Sequence, residues 1–340
     1  MTFLEVISPI YCRAFFICSF IFNIGYSLYV MDMVLYRKLY LKIGEMILLD
    51  NFKFKQGLLA IGGIVVAMLL FNYLSKAKNI EVAVYSWYDQ QVENVDHTVE
   101  AMSTHDIDSI YQFVSSKHLS DDQFVIQLNQ FVNQVNQANK QVYFLNGEAE
   151  WALVEEKNEL ITYVKEVIEY KEANHPVQGI VLDIEPQSLE EYQDDPKAVW
   201  GTLVDNLKEV YGLTKAANME LIVCLPYYLD TKGFDEELEA IISEASDEVA
   251  IMNYYRGKEI DHIAKEVSVS KQYDKSIQTV YELQQVGIAD LTAQNTYHDE
   301  GLLAMIENFQ ALTNYYGNQE IHLGIHEFNS LLALTSLEEE

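Results

Sequence analysis

The stretch from Gly179 to Pro186 places two carboxylates at the end of a short apolar run. The run is typical of a buried strand, and Pro186 ends it. Because side chains alternate along a strand, Asp183 and Glu185 share one face and lie roughly 6.5–7 Å apart along it. Like charges at this range oppose each other's ionisation. A protonated acid beside a second carboxylate is what glycoside hydrolysis needs; a pair that simply emerges into solvent is the alternative.

Apolar strand-like runs alternate with amphipathic helical stretches from residue 79 to the end of the sequence. The predicted strands are Ile80–Trp87, Asp108–Val114, Gln141–Gly147, Gly179–Glu185, Glu220–Tyr227, Glu248–Tyr254, Ser276–Glu282 and Ile321–Glu327. The predicted helices include Asp122–Asn139, Glu155–Asn174, Pro196–Ala217, Asp235–Ala245 and Gly301–Tyr316. Strands that alternate with helices indicate parallel pairing in an α/β fold.

Eight strand–helix units over residues 79–340 match the usual size of a (β/α)8 TIM barrel. An open doubly wound sheet is the rival fold. That fold usually carries a glycine-rich turn after its first strand, and the segment from Trp87 to Gln91 contains no glycine. The barrel also predicts where the chemistry lies, because active sites of TIM barrels form at the C-terminal ends of the strands. Asp183 and Glu185 stand at such an end.

Polar and aromatic residues accumulate at the predicted C-terminal strand ends. Sugars present apolar C–H faces fringed with hydroxyls, so sugar sites combine aromatic surfaces with carboxylates and amides. Packing in the core is the alternative role for each aromatic residue. The residues that we predict to contact substrate are Trp87, Asn146, Glu148, Tyr227, Met252, Asn253 and Glu282.

At the fourth strand the sequence resembles glycoside hydrolase family 18, a family of chitinase-like barrels. The family carries an Asp-x-x-Asp-x-Asp-x-Glu signature there, and Gln178, Val181, Asp183 and Glu185 stand at its four positions. The last two acids of the signature are therefore retained.

Three further matches support this register. Met252-Asn253-Tyr254 is similar to the Met-x-Tyr pattern of the family's sixth strand, Leu225-Pro226 to the end of its fifth, and Asn146-Gly147 to the end of its third. Family 25 lysozymes also place Asp-x-Glu on a fourth strand. The matches at Pro226 and at Met252–Tyr254 favour family 18.

The resemblance implies a substrate-assisted, retaining mechanism on β-linked glycans that contain N-acetylglucosamine, such as chitin-like or cell-wall polymers. It implies that Glu185 is the general acid and that Asp183 orients the N-acetyl group, whose carbonyl oxygen attacks the anomeric carbon. It further implies that the Tyr254 hydroxyl donates to that acetamide. Desolvation and the charge of Asp183 are both expected to raise the pKa of Glu185.

Two departures from the family pattern keep a second function open. Val181 replaces an aspartate, which should leave Asp183 more reliably charged, and the segment Ile325 to Phe328 lacks the tryptophan that the family's eighth strand supplies. A barrel that binds sugar as an envelope scaffold without cutting it is therefore the alternative function. A protein-interaction module with an incidental carboxylate pair is a third.

Charge argues against a nucleic-acid partner. Residues 1–78 hold 8 of the 22 basic and 4 of the 52 acidic residues, which leaves 14 basic and 48 acidic residues, a net charge of −34, for residues 79–340. Such a domain is repelled by phosphate backbones. The eight histidines are dispersed and no metal-binding spacing occurs, so we predict neither a metal nor another cofactor. Cys224 is alone beyond residue 79, which excludes an internal disulfide in that part of the chain.

Residues 1–78 are predicted to anchor the barrel to a membrane by one or two transmembrane helices. The candidate spans are about 14–31 and 57–74, and the second contains 18 residues without a charge. Lys and Arg crowd the segment between them, which places that segment inside. The glycosidase-like domain, residues 79–340, is then expected to face outward from the cell membrane.

Overall fold

The computed structural model describes residues 80–173 and 175–338. All eight predicted strands are present in these ranges, several of them shorter by a few residues. They are β1 (Val82–Ser86), β2 (Ser109–Phe113), β3 (Gln141–Asn146), β4 (Gly179–Leu182), β5 (Glu220–Pro226), β6 (Glu248–Met252), β7 (Ser276–Glu282) and β8 (Ile321–His326).

Helices follow each strand. They are α1 (Gln90–Glu93), α2 (Val95–Thr104), α3 (Ser116–Leu119), α4 (Asp122–Gln137), α5 (Lys157–Glu172), α6 (Glu190–Asp194), α7 (Pro196–Ala216), α8 (Asp235–Glu244), α9 (Glu259–His262), α10 (Ala264–Gln272), α11 (Gly301–Tyr316) and α12 (Phe328–Glu338). Short 3₁₀ turns lie at Ala149–Ala152, Pro186–Ser188, Asp230–Lys232 and Ile288–Asp290. Local sequence explains several helix starts. Asp121 caps α4 by accepting from the Gln123 and Phe124 amides, and Pro196 occupies the first turn of α7.

The sheet closes on itself. Each strand pairs in parallel with the next along the chain, and β8 pairs with β1 through the Val82–Leu323 register. A closed sheet has no edge, so the predicted (β/α)8 barrel is confirmed and the open doubly wound sheet is excluded.

Alternation along β4 sorts its residues between two cores. Ile180 and Leu182 pack in the layer between sheet and helices, as does Ile184 just beyond the strand, while Val181 packs in the lumen. β4 ends at Leu182, so Asp183 and Glu185 lie just past the strand and not within it.

The membrane prediction concerns a part of the chain that the structure does not describe. Both candidate spans, 14–31 and 57–74, lie outside the described residues. Among the residues that are described, no helix combines the length and apolar character needed to cross a bilayer.

Candidate active site

A cleft opens at the C-terminal ends of the strands. Its volume is about 490 Å³, and β1, β3, β4, β6, β7 and β8 or the segments after them line it. The lining residues are Trp87, Gly147, Ala149, Asp183, Glu185, Ser188, Met252, Tyr254, Glu282, Gln284, Ala289, Leu291 and His326. The two carboxylates singled out in the sequence therefore line the same cleft as Tyr254.

A hydrogen-bonded floor closes the lumen below this cleft. The Tyr85 hydroxyl donates to Gln278 Oε1 at 3.1 Å, and Gln278 Nε2 donates to the Tyr111 hydroxyl at 2.9 Å. Val181 and Cys224 pack in the same layer. Because side chains fill the lumen here, a ligand reaches the carboxylates from the mouth of the barrel.

Asp183 is fixed through its backbone, while one oxygen of its side chain is buried without a partner among the described residues. Its amide donates to the Asn146 carbonyl at 3.0 Å, and its Oδ1 atom has no hydrogen-bond partner among the described residues. Burial and, next, the charge of Glu185 raise the pKa of Asp183 to about 7, against an opposing effect of His326. Desolvation is thus the main influence on the charge of Asp183, and the expectation that Val181 leaves this aspartate more reliably charged than a neighbouring acid would stays a prediction.

Gly147 makes the position of Asp183 possible. A Cβ atom at residue 147 would lie 1.8 Å from the Asp183 carbonyl oxygen, closer than any real contact. Only glycine lets the end of β3 approach the segment after β4 this closely. The Asn146-Gly147 pair thus has a direct structural link to the candidate catalytic aspartate.

Glu185 lies nearer to solvent than Asp183. Gln187 Nε2 donates to its Oε2 atom at 2.5 Å. Burial raises the pKa of Glu185, while His326 and the Gln187 hydrogen bond oppose that rise. A raised pKa matches the expectation for a general acid. Burial causes this rise at Glu185, whereas the repulsion between the two carboxylates raises the pKa of Asp183.

Tyr254 follows β6 and lines the cleft beside His326, with ring centroids 6.0 Å apart. Asn295 Nδ2 donates to the Tyr254 carbonyl at 2.7 Å, which fixes its backbone. Burial, more than the surrounding carboxylates, raises the pKa of the Tyr254 phenol far above its ordinary value. The hydroxyl therefore stays protonated and is available as a hydrogen-bond donor.

Three of the seven predicted substrate contacts line the cleft, namely Trp87, Met252 and Glu282. Glu282 is 2% exposed and both its oxygens are occupied: Oε1 accepts from the Gln284 amide at 2.7 Å and Oε2 is 2.8 Å from His326 Nδ1. Its carboxylate is thus engaged with protein groups at the cleft wall.

The other four predicted contacts, Asn146, Glu148, Tyr227 and Asn253, do not line the cleft. Asn146 is buried and its Oδ1 accepts from the Gly147 amide at 2.8 Å. Asn253 is also buried and donates to the Glu259 carbonyl at 2.9 Å. Tyr227 stacks on His262 with ring centroids 4.1 Å apart, and Glu148 is exposed.

Sequence reasoning missed two contributions to the cleft. His326 is the last residue of β8, and its position at a C-terminal strand end was the available signal. Gln284, Ala289 and Leu291 come from the long segment between β7 and α11, whose path no local pattern reveals. Among the described residues, no three Asp, Glu, His or Cys side chains are grouped as a metal site.

Solved structures relate this architecture to known barrels. A GH18 chitinase from Pseudoalteromonas aurantia aligns with a TM-score of 0.54 at 10% identity, over 76% of this chain and 99% of that chain. The chain has a chitinase-like TIM-barrel fold. A D-tagatose 3-epimerase-like protein also aligns, with a TM-score of 0.50 at 12% identity, over 76% of this chain and 96% of that chain.

A chitinase and an epimerase-like barrel thus match comparably. The likeness therefore shows the fold, and the chemistry must be argued from the site. No protein-family model and no curated protein matches the sequence.

Proposed function

We propose that the barrel is a glycoside hydrolase that cleaves β-linked glycans containing N-acetylglucosamine, of the chitin-like or cell-wall class. The observation that carries the proposal is that Asp183, Glu185 and Tyr254 line one cleft at the C-terminal end of the barrel. TIM-barrel enzymes perform their chemistry at this end, and paired carboxylates are what glycoside hydrolysis uses.

The residue roles follow from position and protonation. Glu185, the more accessible acid, protonates the glycosidic oxygen as the bond to the leaving sugar breaks. The substrate's acetamide oxygen attacks the anomeric carbon, and Asp183 accepts the acetamide N–H and stabilises the positive charge of the cyclised intermediate. Tyr254 donates its hydroxyl to the same acetamide. Water then opens the intermediate with retention, with Glu185 acting as base.

Asp183 and Glu185 are active in catalysis when the two carboxyl groups together hold one proton. Two neighbouring carboxylates titrate together, and the pKa of about 7 at Asp183 means that the pair keeps a proton up to about neutral pH. In the reactive form that proton lies on Glu185 and the charge on Asp183. Substrate binding favours this form because the acetamide N–H donates to the ionised Asp183.

One observation favours the alternative, a barrel that binds sugar without cutting it. The pKa of Asp183 is about 7 while burial is the main cause, so the proton resides partly on the residue that should be charged. A site in which the wrong carboxyl holds the proton retains its shape and its hydrogen bonds to sugar, but turns over slowly.

We further propose that residues 1–78 anchor the barrel in the cell membrane with residues 79–340 outside. The support is the charge-free stretch 57–74 and the Lys and Arg residues before it. An outward-facing glycosidase would meet polymeric glycan at the cell surface.

The decisive experiment measures hydrolysis of N-acetylated chitooligosaccharides by the full-length chain and by Glu185→Gln. We expect a loss of at least about 100-fold in kcat/KM, because the amide cannot donate a proton to the leaving oxygen. Glu150→Gln is the control, since Glu150 is exposed near the mouth but does not line the cleft. Undiminished turnover by Glu185→Gln removes the assignment, and binding without hydrolysis by the unmodified chain selects the alternative.

A further inference from the structure

A continuous hydrogen-bond relay links β7, β8 and β1 across the cleft wall. His326 Nδ1 lies 2.8 Å from Glu282 Oε2, and the Trp87 indole N–H donates to His326 Nε2 at 3.0 Å. All three side chains line the cleft that contains Asp183 and Glu185. The chemistry proposed above assigns no role to His326.

The direction of the relay fixes the tautomer of His326. An ionised carboxylate only accepts hydrogen bonds, so the proton between Glu282 and His326 is carried by Nδ1. The neutral ring then has a lone pair on Nε2, which accepts the indole N–H of Trp87. Indole is a donor only, so this arrangement satisfies both ring nitrogens of His326 and the single donor of Trp87.

Both ends of the relay are anchored. Glu282 is 2% exposed, and its second oxygen accepts from the Gln284 amide at 2.7 Å. At the other end, the Trp87 ring packs against Phe113 with centroids 5.9 Å apart. A buried, hydrogen-bonded carboxylate orients the histidine, and the histidine orients the indole, as outer partners fix ligands at other polar sites.

We infer that His326, oriented by Glu282, is a positioning residue that holds the Trp87 indole as the flat wall against which the bound sugar stacks. The inference rests on the proposed glycan site and adds to it the residue that sets its aromatic surface. Trp87 directly follows β1 and His326 is the last residue of β8, so the segment after β1 supplies the platform and β8 holds it in place.

The relay makes the position of Trp87 depend on pH. The titratable groups that face His326 are Tyr85, Asp183, Glu185, Tyr254, Glu282 and Glu327. Burial lowers the pKa of His326, but the Glu282 hydrogen bond and the charges of Glu282, Asp183 and Glu327 outweigh it and raise the pKa. Protonated His326 carries a proton on Nε2 and can no longer accept from Trp87, so acid releases the indole.

Fluorine NMR of the full-length chain labelled with 5-fluorotryptophan tests the inference. The sequence has three tryptophans, so three signals are expected, and Trp87→Phe assigns one of them. The buried Trp151 and Trp200 report whether each variant is folded. The probes are pH between 5 and 9, and N-acetylated chitotetraose at fixed pH.

In the unmodified chain we expect the Trp87 signal to titrate with pH and to shift when chitotetraose is added. His326→Gln retains an acceptor for the indole but cannot titrate, so its Trp87 signal should be flat across the range. Glu282→Gln should move the midpoint to lower pH, because the charge that raises the pKa of His326 is gone. His326→Ala should weaken chitotetraose binding on the order of tenfold, the scale of one aromatic contact. His97→Gln, at an exposed histidine on α2, is the matched control.

Three results overturn the inference. The first is a Trp87 titration that survives His326→Gln, because His326 then does not control the indole. The second is a Trp87 signal that does not move when chitotetraose binds or is hydrolysed; that result leaves the proposed function standing. The third is an absence of both binding and hydrolysis by the unmodified chain, which removes the proposed function and the platform together.

Discussion

Replacing Asp183 with asparagine tests the electrostatic description of the site through stability. Burial and the neighbouring Glu185 raise the pKa of Asp183 from an ordinary value of 3.8 to about 7. The folded protein therefore binds the Asp183 proton roughly a thousandfold more tightly than the unfolded chain does, and each factor of ten corresponds to 1.36 kcal/mol. The ionised side chain thus costs up to about 4 kcal/mol of folding free energy.

The sign of the pH dependence follows from this. Below pH 3.8 Asp183 is protonated in both states and contributes no penalty. As pH rises from 3.8 to about 7, the unfolded chain releases the proton before the folded protein does, so stability falls. Above about pH 7 the penalty is complete and constant.

Asparagine has nearly the same shape as aspartate and cannot ionise. We expect Asp183→Asn to be more stable than the unmodified chain at pH 8 by up to about 4 kcal/mol, and equally stable near pH 3.5. Urea unfolding followed by tryptophan fluorescence at both pH values measures the difference. Asp205→Asn, at an exposed position of α7, should change stability by less than about 0.5 kcal/mol. An Asp183→Asn variant that is less stable than its parent at pH 8 would refute the account, because Asp183 would then be a favourable ion in the folded state.

Three further predictions concern activity and local packing. The kcat/KM profile for an N-acetylated chitooligosaccharide should be bell-shaped with its alkaline limb at about pH 7, where the carboxylate pair loses its last proton; a profile that still rises above pH 8 contradicts the shared proton. Tyr254→Phe should lower kcat about 100-fold with little change in KM, as measured by steady-state kinetics, because one transition-state donor is lost. Gly147→Ala should cost about 1–3 kcal/mol in unfolding experiments and reduce activity, since its Cβ would meet the Asp183 carbonyl at 1.8 Å, whereas Gly212→Ala, with no heavy atom within 4 Å of the added Cβ, should be stabilising.

The strands were predictable because the fold buries them on both faces. A strand inside a closed parallel barrel is apolar nearly throughout, and turn residues bound it, so all eight were located to within a few residues. α2, α10 and α12 are not among the helices named from the sequence, and α10 shows one reason. Its inner face carries Glu266 and Ser270, which are both fully buried, and buried polar groups break the apolar period on which a helix prediction depends.

The alternation of side chains along each strand predicts which residues at a strand end face the cleft. On β6, Ala250 lies in the lumen, so Met252 and Tyr254 follow it on the same face and line the cleft. Asn253 stands on the opposite face and bonds to backbone behind the barrel wall. The same rule turns Asn146 away from the lumen, since Leu145 points into it. Proximity to a strand end was therefore too coarse a criterion for these two asparagines.

The protonation of the site could not be predicted from β4, because other strands determine it. Val181, the lumen residue below Asp183, is apolar and brings no charge of its own to Asp183. Desolvation by the surrounding barrel is the largest effect on the pKa of Asp183, and no residue pattern within β4 reveals it.

The group that opposes the desolvation of Asp183 is His326, which stands at the end of β8 and is held by Glu282 from β7. The charge of Asp183 in turn raises the pKa of His326, so the two groups stabilise each other's ionised forms across the cleft. Protonating His326 favours an ionised Asp183 but removes the acceptor of Trp87. Ionised Asp183, which orients the acetamide, is favoured by protonated His326, whereas the hydrogen bond from the Trp87 indole requires neutral His326. The pH at which the cleft works best is therefore a compromise between these two states of one imidazole.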